Sequence, residues 1–280
     1  MKRISLIIIT AWLAFSCQEE VILDLQSLEP TPVIEAIWTN TPNFNQVFVS
    51  FSKDFYSDEP NESVTNAQVF VRNIGTGRIA TFRYNEQVDR YVPTQNQIGQ
   101  IGQTYELNVI VDGKAYISTG TLLPPPSLDS ITYEFKDQRV FREEGYYLTL
   151  YGDIPFTQEN NYRIRIIRND TLLNRRTDYL LFDDTFGTQI LNRGFELGGF
   201  PFREGDRVRL ELFRLNRDAY DYLNQLVGLL FNDGGLFSPP PQNPVSNIHP
   251  VNGEGNVLGY FMVSPYLGAT VNINPDRSDE

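Results

Sequence analysis

Apolar and polar residues alternate along most of the chain beyond residue 32. A period of two places successive side chains on opposite faces of the backbone, which is typical of a β-strand with one buried face. Gly, Asn, Asp and Pro residues separate the alternating segments, as expected for turns between strands. The clearest segments are 47–51, 69–72, 80–84, 131–135, 145–154, 162–166, 171–174 and 208–212, and a last strand begins at 259–263. The pattern predicts a mainly β protein.

The strongest local signal is a β-hairpin centred on Asp112-Gly113. Alternating residues lead in over 105–111 and lead out over 115–121. Asp-Gly suits a type I′ turn because both central residues of that turn need a positive φ. A second turn is predicted at Asn169-Asp170, between segments 162–166 and 171–174.

One segment departs from the period of two and predicts a helix over about residues 217–231. Its apolar positions recur at spacings of three and four, which is the pattern of an amphipathic helix. These positions are Ala219, Tyr222, Leu223, Leu226, Val227 and Leu230. Asn216 is the predicted N-cap, and residues 232–235 (Asn-Asp-Gly-Gly) end the helix. We expect this helix to pack across a sheet or to close a barrel end.

Three consecutive prolines, Pro124 to Pro126, divide the chain. Prolines do not donate to a β-ladder and they stiffen the backbone into an extended link. We therefore predict two β-sandwich-like domains, an immunoglobulin-like one over 33–123 and one with the single helix over 124–280. The alternative is a proline-rich loop within one larger domain.

The N-terminus has the layout of a secretory signal. Lys2 and Arg3 precede an apolar run over residues 4–15, and the polarity changes abruptly after Cys17. The apolar run has 12 residues, whereas a membrane-spanning helix needs about 20. We predict a lipoprotein signal peptide over 1–16 and a lipidated tether over 17–32.

Cys17 is the predicted lipidation site. It is the only cysteine in the chain, so an exported form has no partner for an internal disulfide. A thiol just after the cut can take a diacylglyceryl group, and two or more acyl chains hold a protein stably on a membrane. Residues 14–17 resemble a lipoprotein box, although Phe15 is bulkier than the usual residue there. The alternative is an ordinary signal peptide with an incidental cysteine.

The charge of the chain narrows the classes of partner. The formal net charge is −12, and loss of Lys2 and Arg3 with the signal makes it −14. Such a surface repels the phosphates of nucleic acids and anionic headgroups. We therefore expect no nucleic-acid partner and a membrane contact made through lipid. No cofactor is predicted.

The candidate chemical sites have weak signals. His249 is the only histidine, too few for a structural zinc site or for a triad without a G-x-S-x-G segment, and we interpret it as a loop residue. The adjacent acids at 143–144 and 183–184 fit calcium or an acid/base pair, but solvated turns are the simpler interpretation. Residues 253–256 lack the lysine and the helix of a phosphate loop and predict a tight turn.

Trp38 raises the question of glycan binding, because sugar platforms often expose tryptophan. It is the only tryptophan left after removal of the signal, since Trp12 lies within it. One tryptophan weakens a glycan-binding interpretation, while tyrosine platforms stay open. An exposed aromatic groove near Trp38 or the 238–250 loop would favour it.

Several segments together resemble a family of Bacteroidota lipoproteins, domain of unknown function 4249. They are Cys17, residues 105–109, the bridge 123–131, the helix 218–230, and the closing segments 239–248 and 253–261. The resemblance implies an outer-membrane lipoprotein associated with TonB-dependent transporters, and residues 18–20 resemble an acidic export signal to the cell surface. It implies no catalytic residues, so Arg142 and Tyr147 are interpreted as structural.

The leading hypothesis is a non-enzymatic, surface-exposed lipoprotein that binds a TonB-dependent transporter or presents a ligand to it. The periplasmic face of the outer membrane is the alternative location. A stand-alone glycan- or peptide-binding module is the alternative function. A hydrolase with a carboxylate pair is a remote third.

Overall fold

The computed structural model describes residues 29–53, 60–232, 242–253 and 255–274. The predicted signal peptide, most of the tether and Cys17 lie outside the described residues. The strands are β1 (Pro32–Thr39), β2 (Gln46–Phe51), β3 (Gln68–Asn73), β4 (Ile79–Asn85), β5 (Arg90–Pro93), β6 (Thr104–Val111), β7 (Lys114–Thr121), β8 (Ser130–Lys136), β9 (Gly145–Tyr151), β10 (Asn161–Arg168), β11 (Thr171–Leu172), β12 (Leu180–Asp183), β13 (Phe195–Glu196), β14 (Arg207–Leu215), β15 (His249–Pro250), β16 (Leu258–Ser264) and β17 (Tyr266–Asn272). One α-helix, α1 (Arg217–Leu230), lies in the described part, with three short 3₁₀ turns, Pro42–Phe44, Arg176–Asp178 and Asp184–Phe186.

The first sandwich is a nine-stranded sheet that curls around one core. Its strand order is β15-β7-β6-β3-β4-β5-β2-β1-β16. Alternate residues point into the core, as on β6, where Tyr105, Leu107, Val109 and Val111 are buried. The turn at Asp112-Gly113 has φ values of 50° and 76°, so the hairpin predicted there is confirmed.

Asn247 closes this curled sheet between its two ends. Its side chain accepts from the Phe261 backbone N–H at 2.8 Å and donates to the Phe261 carbonyl at 3.0 Å. Its own carbonyl accepts from the Ser118 hydroxyl on β7 at 2.6 Å. One amide side chain thus satisfies backbone groups of β16 on the edge away from β1, and the next residue, Ile248, is buried in the core.

The second sandwich packs a three-stranded sheet against a five-stranded sheet. The orders are β13-β9-β8 and β11-β10-β14-β17, with β12 also paired to β10. Its core includes Leu148 and Leu150 from one sheet and Tyr162, Ile164 and Ile166 from the other. The predicted turn at Asn169-Asp170 has φ values of 50° and 64° and is confirmed.

A third core lies under α1, between faces of both sandwiches. We call this cluster the bridging core; its buried residues are Phe213, Leu215, Ala219, Tyr220, Tyr222, Leu223, Tyr260 and Met262. Phe213 lies with its ring centre 6.0 Å from that of Phe44 and 5.8 Å from that of Tyr266. The helix therefore packs across sheets, and β14 and β16 are buried on both faces.

The Asn216 side chain does not cap the helix as predicted. The residue occupies the N-cap position of α1 but makes no side-chain hydrogen bond to the helix. Its amide instead donates to the Thr121 carbonyl at 3.0 Å and accepts from the Thr121 N–H at 3.1 Å. The Asn216 amide therefore bonds to the end of β7 and not to the first turn of α1.

Arg214 holds the proline bridge, the extended link that contains Pro124 to Pro126, in place. It is 4% exposed and donates to the carbonyls of Pro124, Gln158 and Glu159 at 2.8–3.1 Å. Its guanidinium also lies 3.6 Å from the ring centre of Phe156. The desolvation of this site lowers the pKa of Arg214. Three carbonyl acceptors replace its hydration, so the bridge is held to β14.

The predicted fold class, mainly β with sandwich-like packing and one helix, is confirmed. β1 pairs with β16 in parallel register, from Val33↔Leu258 to Thr39↔Ser264. Strands from the range 124–280 therefore complete the sheet of the range 33–123, while the domain boundary itself stays a prediction. The strand predicted at 259–263 is present as β16. It is not the last strand, because β17 follows it.

Candidate functional site

His249 lies at an edge of the first sandwich. It is in the two-residue strand β15, opposite Ile117, and is exposed. The prediction that His249 lies in a loop is therefore wrong, because the residue belongs to a short strand. No group of three or more metal-ligating side chains occurs within the described parts of the chain.

The acidic pair at 183–184 serves local structure. Asp183 accepts from the Thr185 N–H at 3.0 Å and caps the 3₁₀ turn that follows it. Hydrogen bonds from Thr185 lower the pKa of Asp183. Asp184 is exposed. A side chain engaged as a cap fits the solvated-turn interpretation of this pair better than a chemical site.

A tight turn follows β15 at residues 250–253, whereas the turn predicted at 253–256 lies partly outside the described residues. The Gly253 N–H donates to the Pro250 carbonyl at 3.2 Å, and Gly253 and Gly255 have φ values of 71° and 93°. These conformations favour glycine because it has no Cβ. Glu254 lies outside the described residues.

Trp38 is 2% exposed and lies in the core of the first sandwich. Its ring centre lies 6.0 Å from that of Phe82 and 5.6 Å from that of Tyr105. A buried ring offers no face to a sugar, so Trp38 is not a glycan platform. Cys17, the predicted lipidation site, lies outside the described residues.

Charged side chains lie on the faces of β10 and β14 that point away from the second sandwich core. Glu211 is 2% exposed, with its carboxylate 3.5 Å from Arg165 Nε and 3.3 Å from Arg209 Nε. Burial raises the pKa of nearby Glu35, and the charges of Arg90 and Arg163 oppose that rise. Because the Glu211 carboxylate already lies against two guanidinium groups of neighbouring strand positions, we interpret this cluster as structural.

Among the described residues, the most exposed large apolar side chain lies at the end of the β8–β9 hairpin. We call residues 137–144, which join these strands, the hairpin tip. Val140 is 89% exposed and Phe141 is 100% exposed. Phe135, on β8 beside the hairpin tip, is 46% exposed. Exposed apolar residues are common singly, but adjacent and fully exposed ones favour a binding surface.

The hairpin tip is braced rather than loose. Arg139 and Arg142 exchange backbone hydrogen bonds of 2.8 and 3.3 Å, which close the turn around Val140 and Phe141. The Arg142 guanidinium donates to the Asp137 carbonyl at 3.3 Å. These bonds fix the turn that holds both apolar side chains in water.

Tyr147 anchors the hairpin tip to the body. It is 2% exposed, and its hydroxyl donates to the Glu143 carbonyl at 2.7 Å. The Arg142 guanidinium lies 5.9 Å from its ring centre, within range of a cation–π contact. Arg142 and Tyr147 are therefore structural, as predicted, and what they support is the candidate site. The sequence signal for it was the apolar pair Val140-Phe141 inside a charged segment.

The hairpin tip carries charges of both signs. Its carboxylates are on Asp137, Glu143 and Glu144, and its guanidinium groups are on Arg139 and Arg142. Both glutamates of the predicted acidic pair are exposed. The small negative excess of these groups disfavours an anionic lipid surface.

No helix in the described part of the chain is long and apolar enough to cross a membrane. A family model described as "Domain of unknown function (DUF4249)" matches residues 18–267 of the chain. The match includes all the described strands up to the start of β17, as well as α1 and the hairpin tip. No curated protein matches the chain.

Proposed function

The chain belongs to the DUF4249 family, and from this premise we propose that it is a lipid-anchored outer-membrane protein with a non-enzymatic binding role. In this proposal the acylated Cys17 holds the body at the cell surface, and the body binds a TonB-dependent transporter. The periplasmic face is the alternative location. The signal-like residues 1–16 and the acidic segment after Cys17 support the anchoring and the export.

The observation that carries the binding role is the braced hairpin tip with Phe141 fully exposed. Burying one such side chain in a partner is worth about 1.5–3 kcal/mol. Aromatic anchors that enter a pocket dominate many protein interfaces. Because the turn is already held by hydrogen bonds, a partner would pay little entropy to order it.

The proposed partner is a transporter because the family resemblance points to one and because the charge disfavours other surfaces. The mature chain is strongly acidic, which repels nucleic acid and anionic headgroups. The proposed contacts are therefore lipid through Cys17 and protein through the hairpin tip.

Copurification tests the partnership. The full chain carrying a C-terminal tag is expressed in its host and recovered from detergent-solubilised outer membranes. We expect a β-barrel transporter to be recovered with it in stoichiometric amounts. Recovery only as a free monomer, in several mild detergents, would contradict the partnership.

Cys17→Ser tests the anchor separately. We expect the variant to lose incorporation of labelled palmitate and to leave the membrane fraction, because no described helix replaces the lipid. A Cys17→Ser protein that still takes up palmitate and sediments with membranes would contradict the anchor and leave the transporter partnership to be judged by copurification.

A stand-alone glycan- or peptide-binding module is the second candidate function. Burial removes Trp38 as its platform, but a groove in which the Tyr84 ring is half-buried favours the glycan form. The remote alternative, a hydrolase with a carboxylate pair, has no specific observation in its favour among the described residues.

A further inference from the structure

A groove separate from the hairpin tip opens on the first sandwich. It has a volume of about 540 Å³ and lies between the 65–67 segment and strands β4 and β5. Phe82, Tyr84 and Tyr91 contribute its aromatic lining. This volume is in the range of about 300–1,000 Å³ that is typical of small-molecule sites.

The ring of Tyr84 is held in place. Its hydroxyl donates to Asp89 Oδ1 at 2.5 Å, and the Ser63 hydroxyl donates to the same oxygen. The bond from Ser63 and that from Tyr84 lower the pKa of Asp89. The Tyr84 and Tyr91 rings meet edge to face with centres 5.4 Å apart. An ionised carboxylate and a neighbouring ring thus fix Tyr84 before any ligand arrives.

Tyr91, the cross-strand partner of Tyr84, holds the 65–67 segment on the other side of the groove. Its hydroxyl accepts from the Ala67 N–H at 2.8 Å and donates to the Val64 carbonyl at 2.7 Å. Tyr91 is 2% exposed, so these bonds tie the wall to the core of the sandwich. A groove with both walls held is preorganised for binding.

The rim of the groove carries polar side chains that bind nothing else. Thr65, Asn66, Arg83 and Glu86 line it. Their side chains have no hydrogen-bond partner among the residues that the structure describes. Together they offer donors and acceptors, and Arg83 and Glu86 cancel in charge.

We propose that this groove binds a neutral saccharide. A sugar ring presents an apolar C–H face, which suits the fixed Tyr84 ring, and hydroxyls that donate and accept, which suit the rim. Arg83 and Glu86 give the rim no net charge, so it has no overall attraction for a charged ligand of either sign. The inference does not depend on the transporter partnership, because the groove and the hairpin tip share no residue.

The test is calorimetric titration of the purified full chain with neutral hexasaccharides of glucose, mannose, xylose and galactose. We expect at least one to bind, and Tyr84→Ala and Glu86→Ala each to weaken that binding by about tenfold or more. Glu86 is exposed, so its variant keeps the test valid if Tyr84→Ala impairs folding. Glu204→Ala, which changes an exposed glutamate in the turn before β14, is the matched control and should bind as the parent does.

Three results would overturn the assignment. One is the absence of binding by every hexasaccharide. Another is binding that neither groove substitution weakens. The third is binding of peptides from a tryptic casein digest with no binding of any saccharide. None of these results bears on the copurification experiment, so failure of the groove and failure of the partnership are distinguishable.

Discussion

Apolar side chains are buried in the bridging core and exposed at the hairpin tip. Under α1, Phe213 and Met262 are 0% and 1% exposed, although they lie on the outer faces of their sheets. At the hairpin tip, Phe141 is 100% exposed. Both regions are held by specific contacts: ring contacts in the bridging core, and hydrogen bonds at the hairpin tip.

The difference separates what the fold needs from what it leaves available. The bridging core joins two sandwiches into one body, and its apolar area therefore contributes to stability. At the hairpin tip, hydrogen bonds hold apolar side chains exposed to water, and this exposed area contributes no hydrophobic stabilisation to the fold. We therefore expect substitutions in the first region to change stability and substitutions in the second to change binding.

The largest expected effect is that of Phe213→Ala. Removal of this buried ring leaves a cavity between β14 and the 3₁₀ turn at Pro42–Phe44, and should lower the free energy of unfolding by about 3–5 kcal/mol. Chemical denaturation followed by circular dichroism measures it. A loss under about 1 kcal/mol would mean that the bridging core is not a stabilising junction.

Arg214→Met should cost somewhat less. Methionine preserves much of the packing over Phe156 but leaves three carbonyls without their donor, at a cost of about 2–3 kcal/mol. Denaturation and limited proteolysis at the proline bridge measure the effect. Arg78→Met, on an exposed side chain, is the control and should change nothing; equal stability of both variants would contradict the role of Arg214.

Tyr147→Phe should have a smaller effect on stability and should also loosen the hairpin tip. It removes only the hydrogen bond to the Glu143 carbonyl and should cost about 1 kcal/mol. Because that bond anchors the hairpin tip, proteolysis within 137–144 should also become faster. Unchanged proteolysis would show that the hairpin tip does not depend on Tyr147.

Local patterns predicted much of the fold because they reflect interactions within a few residues. The turn at Asp112-Gly113 needs only its own φ values, and α1 follows from its apolar spacing. The pairing of β1 with β16 joins residues far apart in sequence, and no local pattern records it. The alternation in β10 predicted the buried face of Tyr162. It did not predict that Arg165 on the other face pairs with Glu211, or that the charge of Arg163 opposes the rise that burial causes in the pKa of Glu35.

The candidate site was less predictable for a related reason. Val140 and Phe141 were not predicted as a site, because an apolar pair in a charged segment is as often buried as exposed. Only the fold shows that no described residue covers this pair. Asn216 had the sequence of a cap and became a contact with Thr121, because tertiary hydrogen bonds displaced the local ones. The aromatic groove is assembled from residues 65–91 and had no motif; Trp38, the more visible aromatic, is buried.

One measurement tests the central claim most directly, that the hairpin tip is the docking element of a body that is stable without it. The tagged chain, Phe141→Asp and the control Ile79→Asp, which changes an apolar residue that is 51% exposed, are each recovered from detergent-solubilised outer membranes. We predict that all three unfold within about 0.5 kcal/mol of one another and that only Phe141→Asp loses the transporter. Retention of the transporter by Phe141→Asp, or its equal loss with Ile79→Asp, would contradict the account.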